Sequence, residues 1–367
     1  MWLYRLTQFG QLIAIAVVVW SCLKTLNAQL TSGFLRVWFQ YMLYYARYFM
    51  LWVMVWAFAM LKSPLAETLH WVTLLVALLY VYTSWIEPNR LQVNYTSISL
   101  GKSPDSLKLD GLKSDRLNLD SSKSTINSSL KVAVLSDIHV GIFSGNPHQL
   151  NQLIRTLNQL DVSAVLIAGD WLYHAGADIL GKMVLFKALN KPCFTVFSEQ
   201  DNPQIVTPDD SQLDNQNELT YVLQTLGIQI INGSSVTLEG VTLVGAGAKT
   251  HLAQNATFHP KLTTHQPLLI LTHDIKNLAE NANHLLNNDN PKLIIAGQTH
   301  GGQVYVPYLT NALVKAMTGT HERAGLSIYA PDRRSRYQVW TTTGIGMTGL
   351  PFRLNCPPSI DVLTLYL

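Results

Sequence analysis

The chain has little cysteine and little net charge. Cys22, Cys193 and Cys356 are the three cysteines in 367 residues, and none stands in a CxxC spacing. That leaves no basis for a disulfide framework or a zinc knuckle, and Cys193 reads as a small buried apolar side chain. A formal net charge of +3 gives no bulk electrostatic footprint for nucleic acid, so none is expected as a partner. Long apolar runs are present, but their centres hold no acidic residue and no glycine. Transporters and channels mark their ion paths with such residues, so that class finds no support. Only Arg5 precedes the core of the first run and no small-residue cleavage site follows it cleanly, so it reads as a span and not as a signal peptide.

The apolar runs are confined to residues 1–87, which are rich in Trp, Tyr, Leu, Val and Met. A spanning helix needs about 20 mostly apolar residues. Three stretches qualify: Leu6–Leu26, Leu43–Leu61 and Leu65–Ile86. Trp71, Tyr82 and Trp85 suit interfacial belts, and Arg47 is placed to snorkel to the interface. With three spans, Lys24 and Arg36 of the first loop share a side with Arg90, Lys102, Lys108, Lys113 and Arg116, while Arg5, Lys62 and Glu67 lie opposite. This bias predicts a multi-pass protein of the inner (cytoplasmic) membrane, with the lipid bilayer as a partner and the remainder of the chain in the cytoplasm.

Residues 88–130 read as a first strand, Leu91–Leu100, and a flexible polar insertion over 101–129. Residues 131–367 form the third region. Strands are predicted at Lys131–Leu135, Ala164–Ala168, Cys193–Phe197, Ile228–Ile231, Val236–Leu238, Val241–Val244, Leu268–Leu271, Leu293–Ala296, Val339–Thr342 and Ile360–Tyr366. Helices are predicted at His148–Gln159, Ile179–Leu189 and Leu219–Thr225. Early strand–helix alternation followed by short strands suggests an α/β sandwich with two sheets.

Several of those strands run straight into Asp or His. Ser136-Asp137-Ile138-His139 follows the first, Gly169-Asp170 the second, His273 a later one, and Gly297-Gln298-Thr299-His300-Gly301-Gly302-Gln303 the next. Asp and neutral His hold catalytic divalent metals, and strand ends let distant residues meet at one rim of a sheet. The residues therefore read as a metal-dependent hydrolase.

In order and type, these blocks resemble the calcineurin-like metallophosphoesterases, and most of all a membrane-anchored bacterial branch. A glycine-rich close at Thr343–Met347 and the Pro351–Pro358 segment fit as well. The resemblance covers roughly residues 90–367. It implies a four-layer α/β/β/α sandwich, here preceded by transmembrane helices, with two divalent ions (Mn, Fe or Zn) at the sheet rim. It implies that Asp137, His139 and His300 hold the first ion, that Asp170 bridges both, and that His273 holds the second.

Two blocks depart from the family pattern. Where the family has Gly-Asn-His-Asp, this chain has Ser198-Glu199-Gln200-Asp201. Glu199 thus replaces a second-ion ligand and Gln200 replaces the His that assists the leaving group. Gln298 replaces another second-ion His. Glu199 and Gln298 retain oxygen atoms that can ligate, but Gln200 cannot donate a proton at neutral pH. Asp201 and His174 are the nearby candidates for that proton, and Asp170, Gln200 and Asp201 are the expected catalytic positions. Arg353 has two open roles, contact with a substrate phosphate or anchoring of the last strand.

The expected activity is hydrolysis of a phosphodiester or pyrophosphate bond in a phosphorylated small-molecule or lipid substrate, such as UDP-2,3-diacylglucosamine. The alternative is a catalytically degenerate relative that serves as a membrane-bound binding or regulatory protein.

Overall fold

The computed structural model describes residues 2–26, 33–60, 67–100, 129–175, 178–201, 213–248, 266–276, 278, 283–286, 290–318, 323–330 and 336–367. Apart from Ser129, the polar insertion expected at 101–129 lies outside the described residues.

Three helices come first: α1 (Trp2–Leu26), α2 (Phe34–Met60) and α3 (Glu67–Val81). α1, α2 and the third span, which runs from Thr68 in α3 to Asn89, are long and apolar enough to cross a membrane. α3 runs on through a π-helical turn at Tyr82–Ile86 and a 3-10 turn at Glu87–Asn89. Pro88, which lacks a backbone donor, lies in that last turn. α2 starts well before Leu43, at Phe34, so Arg36 lies on its first turn and not in a loop. The reason is tertiary. Val37, Tyr41 and Tyr44 repeat at helical spacing and pack against Ile142, Phe143 and Met347 of the α/β part. Arg47 does not snorkel outward either, and is 8% exposed.

The rest of the chain builds two six-stranded sheets. The first runs β1 (Gln92–Ser99), β14 (Ser359–Tyr366), β2 (Ser129–Leu135), β4 (Ala164–Ile167), β6 (Cys193–Thr195) and β7 (Gln229–Ile230). The second runs β12 (Gly325–Tyr329), β13 (Tyr337–Thr341), β11 (Lys292–Ala296), β10 (Leu268–Leu271), β9 (Val241–Gly245) and β8 (Ser235–Leu238). Within the first sheet β2, β4, β6 and β7 are parallel, and within the second β9, β10, β11 and β13 are parallel. A two-stranded ribbon of β3 (Val140–Gly141) and β5 (Leu172–Tyr173) stands beside them.

Strands buried on both faces need apolar side chains throughout, and β4 and β10 are buried at every position. Val132, Val134 and Leu166 of one sheet meet Leu243, Leu269, Leu293 and Ile295 of the other in a shared core. On the outer face of the first sheet lie α4 (Pro147–Gln159), α5 (Ile179–Met183) and α6 (Leu213–Thr225), through Leu150, Leu153, Ile179 and Leu223. Ile275, Leu278, Leu285 and Leu286 cover the outer face of the second sheet. The layers are thus α/β/β/α, as the resemblance implied. The single helix expected at Ile179–Leu189 is instead two pieces, since a 3-10 turn takes over at Val184–Ala188.

Candidate metal centre

Parallel strands place their C-terminal ends along one rim, and each end here delivers a polar loop. β2 leads to Asp137 and His139, β4 to Asp170, β6 to Ser198–Asp201, β10 to His273, β11 to Gln298 and His300, and β13 to Thr343–Met347. The backbone at this rim is unusual. Asp137, His139, Asp170, Gln298 and His300 all adopt positive φ, between 49° and 68°. For residues with a Cβ this left-handed region is strained, and such strain collects at functional sites.

The strained turns aim side chains at one point. Asp137, His139, Asp170 and His300 each offer a ligand atom within 4.8 Å of all the others, and all four are buried. His300 Nε2 lies 3.2 Å from Asp137 Oδ1, and His139 Nε2 lies 3.3 Å from Asp170 Oδ2. His273 Nε2 approaches the same two oxygens at 3.9 and 3.8 Å. Its other ring nitrogen is held at 2.8 Å from the Ala168 carbonyl, which fixes the ring's direction. Ser136 donates its hydroxyl to Asp137 Oδ2, leaving Oδ1 to face the cluster.

The donor set suits a divalent ion. The Nε2 atoms of His139 and His300 are 3.0 Å apart. Two donors each about 2.1 Å from one ion, at right angles, stand about 3.0 Å apart. Asp137 Oδ1 and Asp170 Oδ1 are buried and lack a hydrogen-bond partner among the described residues. The charges are also mutually frustrated. Burial, then the Asp201 and Asp137 carboxylates, push the Asp170 carboxyl well above the ordinary range. Burial, then the charge of His300, holds His139 well below its usual value. Burial raises Asp137 too, but the rings of His300, His273 and His139 outweigh it and leave that carboxyl low. A buried pair of acids facing three imidazoles is resolved by a cation at the centre.

The remaining candidate residues lie elsewhere. Glu199 and Gln200 are exposed on the bend after β6, and Gln298 is exposed with its amide donating to Asp274 at 3.1 Å. Asp201 is turned inward. Its carboxylate accepts from the backbone N–H groups of Asp170 (2.8 Å), Trp171 (2.8 Å) and Ser198 (2.9 Å). That clamp holds the Asp170 turn in place. Asp201→Asn keeps the shape but faces those donors with an NH₂, and is expected to lower stability by about 1–3 kcal/mol. A thermal midpoint equal to wild type would remove the clamp role.

Arg353 is fully buried and donates to the carbonyls of Cys356, Thr343, Gly344 and Gly346. Of its two open roles, this is the anchor. The loop it ties carries Gly344 and Gly346. A Cβ on Gly346 would stand 2.7 Å from that of His139, so only glycine allows the close approach.

Tyr173 went unread in the sequence. It meets His139 edge to face, with centroids 5.3 Å apart, and its hydroxyl accepts from Gln40 of α2 at 2.9 Å. His174, its neighbour and the other candidate proton source, is buried and at positive φ.

The calcineurin-like phosphoesterase family model matches residues 130–302. Residues 130–302 belong to the calcineurin-like phosphoesterases. The chain is accordingly a hydrolase acting on phosphoester bonds, and the Asp/His cluster lies inside the matched region except for its supports at Thr343–Met347 and Arg353. Comparison with curated proteins returns no match. Among solved structures, the nuclease MPE of Pseudomonas putida is similar at 14% identity over 63% of this chain and 78% of that one, with a TM-score of 0.28.

Proposed function

We propose that this phosphoesterase is an inner-membrane protein that hydrolyses a phosphodiester or pyrophosphate bond of a lipid-linked or nucleotide-linked substrate, using divalent metal ions. The observation that carries this reading is the convergence of Asp137 Oδ1, Asp170 Oδ2 and three histidine Nε2 atoms. Asp137, His139, Asp170 and His300 would hold one ion. Asp170 and His273 would face a second, with Glu199 and Gln298 on the neighbouring bends. Mixed carboxylate and imidazole donors suit Mn²⁺, Fe²⁺ or Zn²⁺. Bound ions supply charge neutralisation at the phosphoryl oxygens and activation of water.

The chain's own residues do the rest. Asp201 and Arg353 hold the two loops that orient the cluster, and burial of Asp137, His139 and Asp170 keeps bulk water off their buried faces. Gln200 cannot protonate a leaving group, a contribution otherwise worth about 10²–10⁴-fold. This favours a leaving group that needs little protonation, such as the nucleotide phosphate of a UDP-2,3-diacylglucosamine-like substrate. The apolar helices favour a lipid moiety, and the basic residues flanking them favour a cytoplasmic catalytic face.

Exposure of Glu199, Gln200 and Gln298 favours a second reading, a membrane-bound binding or regulatory protein with one ion or none. Calorimetric titration of the full chain in detergent with Mn²⁺ separates the two. The expected result is two bound ions and loss of hydrolysis on chelation. Hydrolysis that survives exhaustive chelation would sink the metal-dependent reading, and one ion without hydrolysis would favour the second.

A further inference from the structure

Where α2 and the end of α3 meet the α/β part there is a cavity of about 450 Å³, separate from the Asp/His cluster. Pockets that take small ligands run to roughly 300–1,000 Å³. Arg47 lines it, only 8% exposed. Its guanidinium lies 3.8 Å from the centroid of Tyr44 and 5.3 and 5.4 Å from those of Tyr48 and Trp85. One nitrogen reaches the Ser84 carbonyl at 3.4 Å, and Nε has no hydrogen-bond partner among the described residues. Nor does any acidic side chain among the described residues pair with it. A buried charge without a counter-ion is costly, and on an apolar helix it marks a functional position.

The first turn of α4 lines the cavity through Asn146, His148 and Gln149, with Asn146 Oδ1 capping the Gln149 N–H at 3.0 Å, and a helix N-terminus attracts anions. Asn89 adds an amide to the lining. Apolar surface adjoins the same residues: Tyr48, and Trp85 and Ile86 of the lining, are 43%, 40% and 53% exposed. A buried cation beside exposed apolar side chains fits an anionic phosphate headgroup with its acyl chains along the helices.

We propose that this cavity binds the phosphate headgroup of an anionic membrane phospholipid, held by Arg47 and the α4 N-terminus. The site rests on the reading that α1–α3 lie in a bilayer. It is distinct from the hydrolytic centre, since Phe143 and Tyr173, 5.7 Å apart, stand between the cavity and His139.

The test is native mass spectrometry of the full chain in mild detergent with equimolar phosphatidic acid and phosphatidylcholine. Wild type should retain phosphatidic acid over phosphatidylcholine by about fivefold, the factor equivalent to roughly 1 kcal/mol per basic residue. Arg47→Gln should lose that preference and Arg47→Lys should keep part of it. Arg36→Gln, exposed on the same helix, and Asp170→Asn, in the cluster, should both leave it unchanged. Equal retention of the two lipids by wild type overturns the proposal, as does an undiminished preference in Arg47→Gln. Displacement of phosphatidic acid by millimolar glycerol 3-phosphate would overturn the lipid assignment and give the site to soluble phosphoesters. A full chain that stays monodisperse without detergent would overturn the membrane reading itself, whatever the lipids do.

Discussion

Asp170→Asn is expected to abolish phosphoester hydrolysis and to weaken binding of divalent ions with it. Asp170 Oδ2 stands at 3.3 Å from His139 and 3.8 Å from His273, closer to each of those rings than Asp137 Oδ1 at 3.8 and 3.9 Å. Its neutralisation removes the carboxylate nearest both rings and leaves Asp137 Oδ1 as the acid oxygen they share. Metal charge stabilisation is worth several kcal/mol, and about 4 kcal/mol corresponds to roughly 10³-fold in rate. The measurement is turnover of bis(p-nitrophenyl) phosphate by the full chain in detergent with excess Mn²⁺, beside a Mn²⁺ titration. Activity within about tenfold of wild type would place the reaction somewhere other than this cluster. Because Asp170 is buried next to Asp201, the neutral variant relieves repulsion between the two acids. Lost activity should therefore come without lost thermal stability.

Arg353→Ala should show the opposite pattern, with stability and activity falling together. Four backbone carbonyls accept from this one side chain in a site with no exposure. Truncation strands them, at a cost of about 3–5 kcal/mol, the range for breaking buried charged contacts. In a domain of this size that is roughly 10 °C in the thermal midpoint. The loop released is the one whose Gly346 N–H donates to the Asp137 carbonyl at 2.6 Å and whose Ile345 N–H donates to Ser136 at 3.0 Å. The Asp137 turn loses its brace, and hydrolysis should fall with the midpoint. Arg353→Lys keeps the charge but not the planar fork, so it should rescue only part of the loss. A midpoint within about 2 °C of wild type for Arg353→Ala would contradict the buried-anchor role.

The Asp/His cluster was legible because the physics of parallel strands is legible. An apolar run that ends in Asp or His puts that side chain at the rim, and Asp137, Asp170, His273 and His300 each follow such a run. The two-sheet architecture followed from the same pattern. Other features turned on orientation, which periodicity does not carry. The resemblance puts Glu199 and Gln298 at ligand positions, but the bends that carry them leave both exposed. Asp201 was readable as an acid and not as a receiver of three backbone donors. The early start of α2 was hidden for a different reason. Lipid and protein both accept apolar side chains, so hydropathy cannot separate Val37 and Tyr41, which dock on the α/β part, from the apolar residues further along the helix.

That docking has a practical side. Val37 and Tyr41 cover Ile142, Phe143 and Met347, and Gln40 holds the Tyr173 hydroxyl whose ring leans on His139. Buried Glu87 accepts from the Cys356 N–H at 2.7 Å, beside the loop that Arg353 ties. The helical part is therefore no leash that another hydrophobic tail could replace. An expression plasmid that begins at Pro88 would yield a catalytic half with one wall missing and a greasy scar beside its histidines. Sluggish turnover in such a fragment would report on the missing wall and say little about the intact enzyme.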